Sequence, residues 1–160
     1  LLLPLLRRAE KGRVLTVSSY SHWTTPLCLS RVTDPWPYIG LLAYKRSKLS
    51  NVLFTYEFNR REPDVRAFAV DPGLVNTGIA SKGSRGISHW VWRSRRKAGT
   101  SPDVPAETIQ YLIEADELDP EAGFYYRDKA ALTPSRKARN EALAAKLWAI
   151  SCRLTGLQPS

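Results

Sequence analysis

Tyr44 and Lys48 stand four residues apart in the stretch AYKRSKLSN, residues 43–51. Residues with this spacing lie on the same face of a helix, so a helical conformation would place the lysine ammonium beside the tyrosine phenol. A free tyrosine has a pKa of about 10, which is too high for easy proton transfer at neutral pH. A fixed cation nearby favours the phenolate and lowers that pKa. The spacing therefore predicts a general acid–base pair.

Two serines could supply a hydroxyl for the same chemistry. Ser18 and Ser19 end the run RVLTVSS, residues 13–19. A serine hydroxyl can hold a substrate oxygen while a tyrosine donates or accepts the proton. Such a site suits proton transfer coupled to hydride transfer, and hydride transfer needs a cofactor. Because a Tyr-x-x-x-Lys spacing is common by chance, its significance depends on the elements around it.

A strand, a helix and a second strand are predicted to position these residues. Residues 13–19 and 65–70 are short apolar runs without alternation, which is typical of parallel strands covered on both faces. Residues 44–62 carry apolar positions near a helical repeat, and Pro63 ends the pattern. Residues 20–42, which contain three prolines, are predicted to form an irregular connection.

Three polar features fall at one edge of this predicted sheet. Ligands of open α/β sheets bind beyond the carboxyl ends of the strands. The serine pair follows the first strand, and an Asp-Pro-Gly turn at residues 71–73 follows the second. The helix begins near Tyr44, after a loop long enough to fold back over that edge. The three features are therefore predicted to line one crevice.

The rest of the chain is predicted to add two helices and a strand. Residues 106–116 have a helical pattern with Pro105 close to the start. Residues 123–127 are predicted to form the last strand, and residues 135–156 a long helix that Gly156 ends. One face of the long helix is predicted to carry four apolar residues: Leu143, Leu147, Ile150 and Leu154.

Composition limits the class of protein. The 160 residues are enough for a single domain spanning residues 1–160, and the net charge of +9 suits phosphate, an acidic lipid surface or nucleic acid. No apolar run approaches the length of a membrane span. Cys28 and Cys152 match no metal spacing, which favours a reduced, cytoplasmic compartment. His22 and His89 are isolated, so no metal site is expected. His22 stands three residues after Ser19, and it is interpreted either as a loop residue near the site or as a surface residue.

The order of these motifs is similar to that of a known family. The segments GRVLTVSS, YKRSK and VDPGLVNTGI, between residues 12 and 79, resemble the second half of a short-chain dehydrogenase/reductase. The resemblance is greatest to the retinol-dehydrogenase-like branch, and it continues more weakly to the end of the chain. It implies an α/β fold, namely a partial Rossmann-like, doubly wound parallel sheet that lacks the N-terminal glycine-rich βαβ portion.

The resemblance also implies roles for particular residues. Ser19, Tyr44 and Lys48 take the positions of the catalytic residues, with Ser47 completing the common YxxSK form. The implied cofactor is a nicotinamide dinucleotide, NADP(H) rather than NAD(H). The positions implied to bind it are Tyr44, Lys48, Pro72, Gly73, Val75 and Thr77. Asp71 stands where the family often has Asn or His.

One expected motif is missing from the sequence. The family places a glycine-rich turn at a helix amino terminus, where it receives the pyrophosphate. No Gly-x-x-x-Gly-x-Gly occurs in these 160 residues, and the chain starts at Leu1, so we expect a fragment of a longer enzyme. The alternative is a truncated product without catalysis, which acts as an interaction module through its exposed sheet edge.

A basic, tryptophan-containing segment follows the Asp-Pro-Gly turn. Residues 81–99 hold six basic residues, no acids and two tryptophans. By resemblance, residues 81–104 form the substrate-binding lid, in which Trp90 and Trp92 line an apolar pocket. A membrane-surface segment, a nucleic-acid-binding segment and a solvated loop are the other interpretations. The expected partners are a small alcohol or carbonyl substrate, a second copy of the chain and a membrane surface, and no nucleic acid is expected.

Overall fold

The structure is a computed structural model that describes residues 2–26, 29, 37–75, 99–119 and 122–158. Several predicted features lie outside these ranges: Thr77, Trp90, Trp92, His89, Cys28 and residues 81–98 of the predicted lid.

Four strands and four α-helices make up the described fold. In chain order they are α1 (Leu3–Arg8), β1 (Arg13–Val17), α2 (Gly40–Arg61), β2 (Arg66–Val70), α3 (Asp103–Glu114), β3 (Tyr125–Arg127), β4 (Ala130–Ala131) and α4 (Glu141–Thr155). Short 3₁₀ helices at Tyr20–Thr24 and Lys137–Arg139 complete it.

The sheet is mostly parallel and has the order β1-β2-β3-β4. β1 and β2 are parallel with Val17 opposite Val70, and β2 and β3 are parallel with Val70 opposite Tyr126. β4 pairs antiparallel with β3. The predicted strand–helix–strand unit is therefore present, and the carboxyl ends of three strands meet at one edge.

Helices cover both faces of this sheet, as expected for a doubly wound fold. Ala69 of β2 packs in a cluster with Leu53 of α2 and Leu147 of α4. On the opposite face, the neighbouring residues Phe68 and Val70 pack with Leu112 of α3. Successive side chains of a strand point to opposite faces, so β2 contributes to both clusters. β1 is only half-buried because it lies at the edge of the described sheet.

The helix that carries the tyrosine and lysine begins earlier than predicted. It starts at Gly40, so Tyr44 lies in its second turn and not at its start. The physical reason is that Leu41, Leu42 and Ala43 favour the helix and no proline interrupts it after Pro37. The helix α3 is also displaced, running over Asp103–Glu114 where residues 106–116 were predicted.

The C-terminal region differs from its prediction in two ways. β3 is not the last strand, because Asp128 and Lys129, with φ of 51° and 62°, turn the chain back into β4. The predicted helix over 135–156 is divided, since the Asn140 side chain accepts a hydrogen bond from the Leu143 amide and starts α4 there. Gly156 ends α4 with φ of 71°, as predicted.

The buried face of α4 agrees with the prediction at Leu147, with Leu143 and Ile150 half-buried, and differs from it at the end of the helix. Leu154 is 60% exposed, and the buried side chains of the helix are Ala144, Leu147 and Cys152. Trp148 packs beside them, with its ring stacked 5.6 Å from that of Phe54 in α2. The contact with α2 thus determines which side chains of α4 are buried, and the spacing of the leucines alone does not reveal this contact.

Candidate active site

The carboxyl ends of β1 and β2 are fastened to each other and to α2 by Ser18. Its amide donates to the Val70 carbonyl at 2.7 Å, which extends the pairing of the two strands by one residue. Its buried hydroxyl donates to the Lys48 carbonyl at 2.9 Å. Ser18 therefore fixes the height of Lys48 relative to the sheet edge. The first serine of the pair therefore has a structural role.

Tyr44 and Lys48 lie on one face of α2, with the Lys48 Nζ 5.5 Å from the centre of the Tyr44 ring. The Lys48 ammonium also donates to the Val17 carbonyl at 3.0 Å, so its position relative to the end of β1 is fixed. Burial lowers the pKa of Lys48 from its ordinary value. The Tyr44 side chain is 37% exposed.

Ser19 begins the 3₁₀ helix Tyr20–Thr24 in an extended conformation. Its hydroxyl oxygen accepts a hydrogen bond from the Ser21 amide at 3.2 Å. The hydroxyl hydrogen is not used in that bond and can be donated to a substrate oxygen. At the surface, the exposed Lys45 ammonium donates to the hydroxyl of Thr24, the last residue of this 3₁₀ helix, at 3.1 Å.

His22 is fully buried, so its interpretation as a surface residue is wrong, whereas its contact with Ser19 agrees with a position near the site. Its Nδ1 lies 2.8 Å from the Ser19 carbonyl oxygen, and its Nε2 accepts from the Ser135 amide at 3.2 Å. A carbonyl only accepts and an amide only donates, so Nδ1 carries the proton and Nε2 is bare. Burial lowers the pKa of this imidazole, opposed by its bond to Ser19 and by the charge of Asp71.

Asp71 is buried at the end of β2 and has two partners. The Tyr125 hydroxyl donates to its Oδ2 at 2.9 Å, and the Gly73 amide donates to its Oδ1 at 3.0 Å. The burial of Tyr125 and the neighbouring Asp71 charge raise the pKa of the Tyr125 phenol, which keeps it protonated as a donor. Tyr125 also packs edge-on against the His22 ring at a centroid distance of 5.1 Å. Asp71 stands where the family often has Asn or His, and its carboxylate is satisfied here by hydrogen bonds from Tyr125 and Gly73.

Gly73 follows with φ of 67°, a conformation that side chains disfavour. A Cβ atom there would also come within 3.2 Å of the Arg127 guanidinium. After Gly73 the chain continues to Val75, which pairs with Thr100 just before α3 begins at Asp103. The last residues of the predicted lid, 99–104, are therefore a bridge and a helix start.

The structure adds residues to this edge that the sequence did not single out. Asn51 Nδ2 donates to the Val17 carbonyl at 3.0 Å, so this oxygen accepts from both Asn51 and Lys48. The spacing of seven residues between Tyr44 and Asn51 is a helical signal that could have identified it. The bonds of His22 to Ser135 and of Tyr125 to Asp71 have no comparable signal, because they span 113 and 54 residues of the chain.

His22 predicts an acid-sensitive stability. Its folded pKa lies below the value of about 6.5 expected when unfolded, so the unfolded state binds the proton first. Stability is full above that unfolded pKa and falls with decreasing pH, by at most about 1.4 kcal/mol per pH unit for one proton. We expect the free energy of unfolding, measured with urea, to decrease more between pH 7 and pH 5 in the wild type than in His22→Asn. Equal decreases would show that His22 is not the source of the acid sensitivity.

The described edge fits part of a nicotinamide cofactor. The Lys48 ammonium stands beside the end of β1 with the Tyr44 ring next to it, and the turn through Pro72 and Gly73 brings backbone to the end of β2. These groups suit a ribose and an amide-bearing ring. A glycine-rich turn for the pyrophosphate is missing from the sequence. Within the described residues, no helix is both long and apolar enough to span a membrane.

Comparisons with known proteins agree with the resemblance in sequence. No protein-family model matches the chain. Retinol dehydrogenase 12 of Mus musculus is 32% identical over 160 residues, covering 99% of this chain and 50% of that protein. Polyprenol dehydrogenase of Mus musculus is 32% identical, covering 98% and 49%. WW domain-containing oxidoreductase of Gallus gallus is 35% identical, covering 96% and 39%.

A solved structure shows the same fold. An uncharacterised protein from Mycobacterium paratuberculosis is 30% identical, with a TM-score of 0.57 over 92% of this chain and 52% of that one. This chain therefore spans about half the length of the relatives that it matches. In sequence and in fold, the chain belongs to the short-chain dehydrogenase/reductase family and corresponds to the C-terminal half of the retinol dehydrogenases.

Proposed function

We propose that this chain carries the catalytic half of a nicotinamide-dependent oxidoreductase, which interconverts an alcohol and a carbonyl compound. The observation that carries the proposal is the position of Tyr44 and Lys48, on one face of α2 and tied to the end of β1 at the Val17 carbonyl. Ser19 follows two residues after Val17, so all three side chains come from the same edge. The retinol and polyprenol dehydrogenases among its relatives support this reaction class.

In the oxidation, each side chain has a separate task. The Ser19 hydroxyl donates a hydrogen bond to the substrate oxygen and fixes its orientation. The Tyr44 oxygen would remove the hydroxyl proton of the alcohol as the carbinol carbon loses a hydride, and a carbon–oxygen double bond would form as both leave. A bound nicotinamide would supply the hydride acceptor. The Lys48 ammonium, 5.5 Å from the centre of the Tyr44 ring, would attract the negative charge that develops on the tyrosine oxygen and would hold the ribose hydroxyls. In the reduction the same proton returns from Tyr44.

The family resemblance supports a proposal for the cofactor, and the names of the relatives support one for the substrate. We favour NADP(H) over NAD(H) because resemblance to the retinol-dehydrogenase-like branch implies it. Relatives named for retinol and for polyprenol favour an apolar alcohol or its carbonyl as the substrate. Trp90 and Trp92, in the segment between the described ranges, are the residues we propose for its apolar pocket. Cofactor contacts are proposed at Pro72, Gly73 and Val75, and at Thr77 beyond them.

We further propose a cytoplasmic protein that contacts membrane surfaces and forms homodimers. The net charge of +9 supports contact with anionic lipid, and the family resemblance supports the dimer. Flotation with anionic vesicles and sedimentation of the purified chain measure these two properties separately.

A second candidate function is an interaction module without catalysis. It is favoured by the position of β1, which has a single neighbouring strand in the described sheet and presents the unpaired backbone groups of its other edge. A strand from another chain could pair there. In this case Tyr44 and Lys48 would be remnants of a site.

Calorimetric titration of the folded chain with NADPH, and then with NADH, separates the two functions. The oxidoreductase proposal predicts saturable binding of one equivalent, tighter for NADPH, which is weakened in Lys48→Met and retained in Lys45→Met. Lys45 is the matched control because it lies on the same helix and its exposed ammonium donates to the Thr24 hydroxyl. A chain with cooperative unfolding and no heat of binding would favour the interaction module instead.

A further inference from the structure

We infer that His22 is a positioning residue that holds Ser19 in place, an inference that rests on the proposed function. The observation is the bond of its Nδ1 proton to the Ser19 carbonyl at 2.8 Å, made from a fully buried ring. A hydrogen bond of this kind, shielded from water, restrains the backbone of the residue whose hydroxyl orients the substrate. His22 does not itself reach the substrate.

The other ring nitrogen gives the imidazole a fixed anchor. Nε2 accepts from the Ser135 amide, which precedes the 3₁₀ helix Lys137–Arg139 and α4. The Ser135 hydroxyl in turn accepts from the Ala138 amide at 3.3 Å, and both of these residues are buried. The Ser19 loop is therefore fastened through one ring to the C-terminal part of the fold, rather than to its own strand alone.

The contact between the rings of His22 and Tyr125 links the Ser19 loop to the turn at residues 71–73. Tyr125 packs edge-on against His22 and donates to Asp71, and Asp71 accepts from the Gly73 amide. The proposed serine loop and the proposed cofactor turn are thus both fixed by one buried assembly. A displacement of the imidazole would move the Ser19 loop directly, and a misplacement of about 1 Å can reduce a rate by about 10²-fold.

Two substitutions with amide side chains can distinguish the roles of the two ring nitrogens of His22. The amide of asparagine reaches the place of Nδ1, because both groups are two bonds from Cβ, and it can still donate to the Ser19 carbonyl. The amide of glutamine reaches the place of Nε2, three bonds from Cβ, and can still accept from the Ser135 amide. His22→Asn and His22→Gln each lose one buried hydrogen bond and the ring contact, so their melting temperatures should fall by similar amounts.

The expected result is a difference in catalysis between two variants of similar stability. We expect His22→Gln to lower kcat by about 10- to 100-fold with the KM for NADPH nearly unchanged, and His22→Asn to stay within about threefold of the wild type. Equal loss of kcat in both variants would make His22 a packing residue and overturn the inference. Unchanged kcat in both would overturn it as well.

Amide hydrogen exchange tests the same inference without turnover. The Ser21 amide donates to the Ser19 hydroxyl oxygen, so its protection reports on the geometry of that loop. We expect faster exchange at Ser21 in His22→Gln and not in His22→Asn, whether or not the chain turns over. Absence of NADPH binding by the wild type would count against the proposed function alone. Equal exchange at Ser21 in the two variants would count against the role of His22 alone.

The wild-type protein provides a further check if neither variant folds. The contacts require the tautomer with a proton on Nδ1 and none on Nε2. Nitrogen-15 NMR of the labelled imidazole at pH 7.5 should show this tautomer for the buried histidine. A proton on Nε2 would exclude the bond with Ser135 and overturn the inference.

Discussion

Replacing Tyr44 with phenylalanine is expected to lower kcat by a factor of about 10²–10⁴ while the dissociation constant for NADPH changes little. The substitution removes the oxygen that we propose exchanges the proton with the substrate. It keeps the ring over which the Lys48 ammonium lies at 5.5 Å. Because Tyr44 is an exposed side chain, we expect unfolding free energy to change by no more than about 0.5 kcal/mol. Initial rates and calorimetric titration measure the two effects.

Tyr111→Phe is the matched control for this substitution. Tyr111 lies in α3 and is 38% exposed, against 37% for Tyr44, so both substitutions remove one hydroxyl from similarly accessible helical positions. The control should retain the wild-type kcat. If Tyr44→Phe turned over substrate at the rate of the control, Tyr44 would not be the residue that transfers the proton. Lys48 could then not act through Tyr44 either.

Replacing Lys48 with methionine is expected to reduce both catalysis and cofactor affinity. The substitution keeps most of the aliphatic stem and removes the ammonium, which contacts both the Tyr44 ring and the Val17 carbonyl. Loss of a charged hydrogen bond costs about 1.5–3 kcal/mol, which corresponds to a roughly 10- to 150-fold larger dissociation constant for NADPH. The kcat should fall in addition, because no cation then favours the phenolate.

The separate effects on binding and on kcat decide which task Lys48 performs. Unchanged cofactor affinity with a low kcat would show that it acts on Tyr44 and not on the ribose. Weaker binding with an unchanged kcat would show the reverse. Lys45→Met should alter neither, since the Lys45 ammonium is directed to the Thr24 hydroxyl.

Features that depend on local periodicity were predictable from the sequence. The shared face of Tyr44 and Lys48 follows from helical geometry over five residues, and the helix is present even though it begins one turn earlier, at Gly40. The strand–helix–strand order follows in the same way from apolar runs and from Pro63. The family resemblance rests on these same segments, which explains why the fold class was predicted correctly from residues 12–79.

Features that depend on distant contacts were not predictable in this way. His22 looked like an isolated loop residue, yet its bond to Ser135 spans 113 residues of the chain. Tyr125 lies in a strand that was predicted from the sequence, but the bond of its hydroxyl to Asp71 spans 54 residues. The exposed face of Leu154 in α4 depends on where α2 lies against that helix.

The sequence by itself thus determined which residue types are available for chemistry, and on which helix face Tyr44 and Lys48 stand. Only the tertiary structure decided what holds them: the Val17 carbonyl for Lys48, and the His22 ring for the Ser19 loop. The physical reason is that helical and strand periodicity is fixed by the backbone within a few residues. A buried hydrogen bond depends instead on the register of paired strands and on helix packing, which bring together residues far apart in the chain.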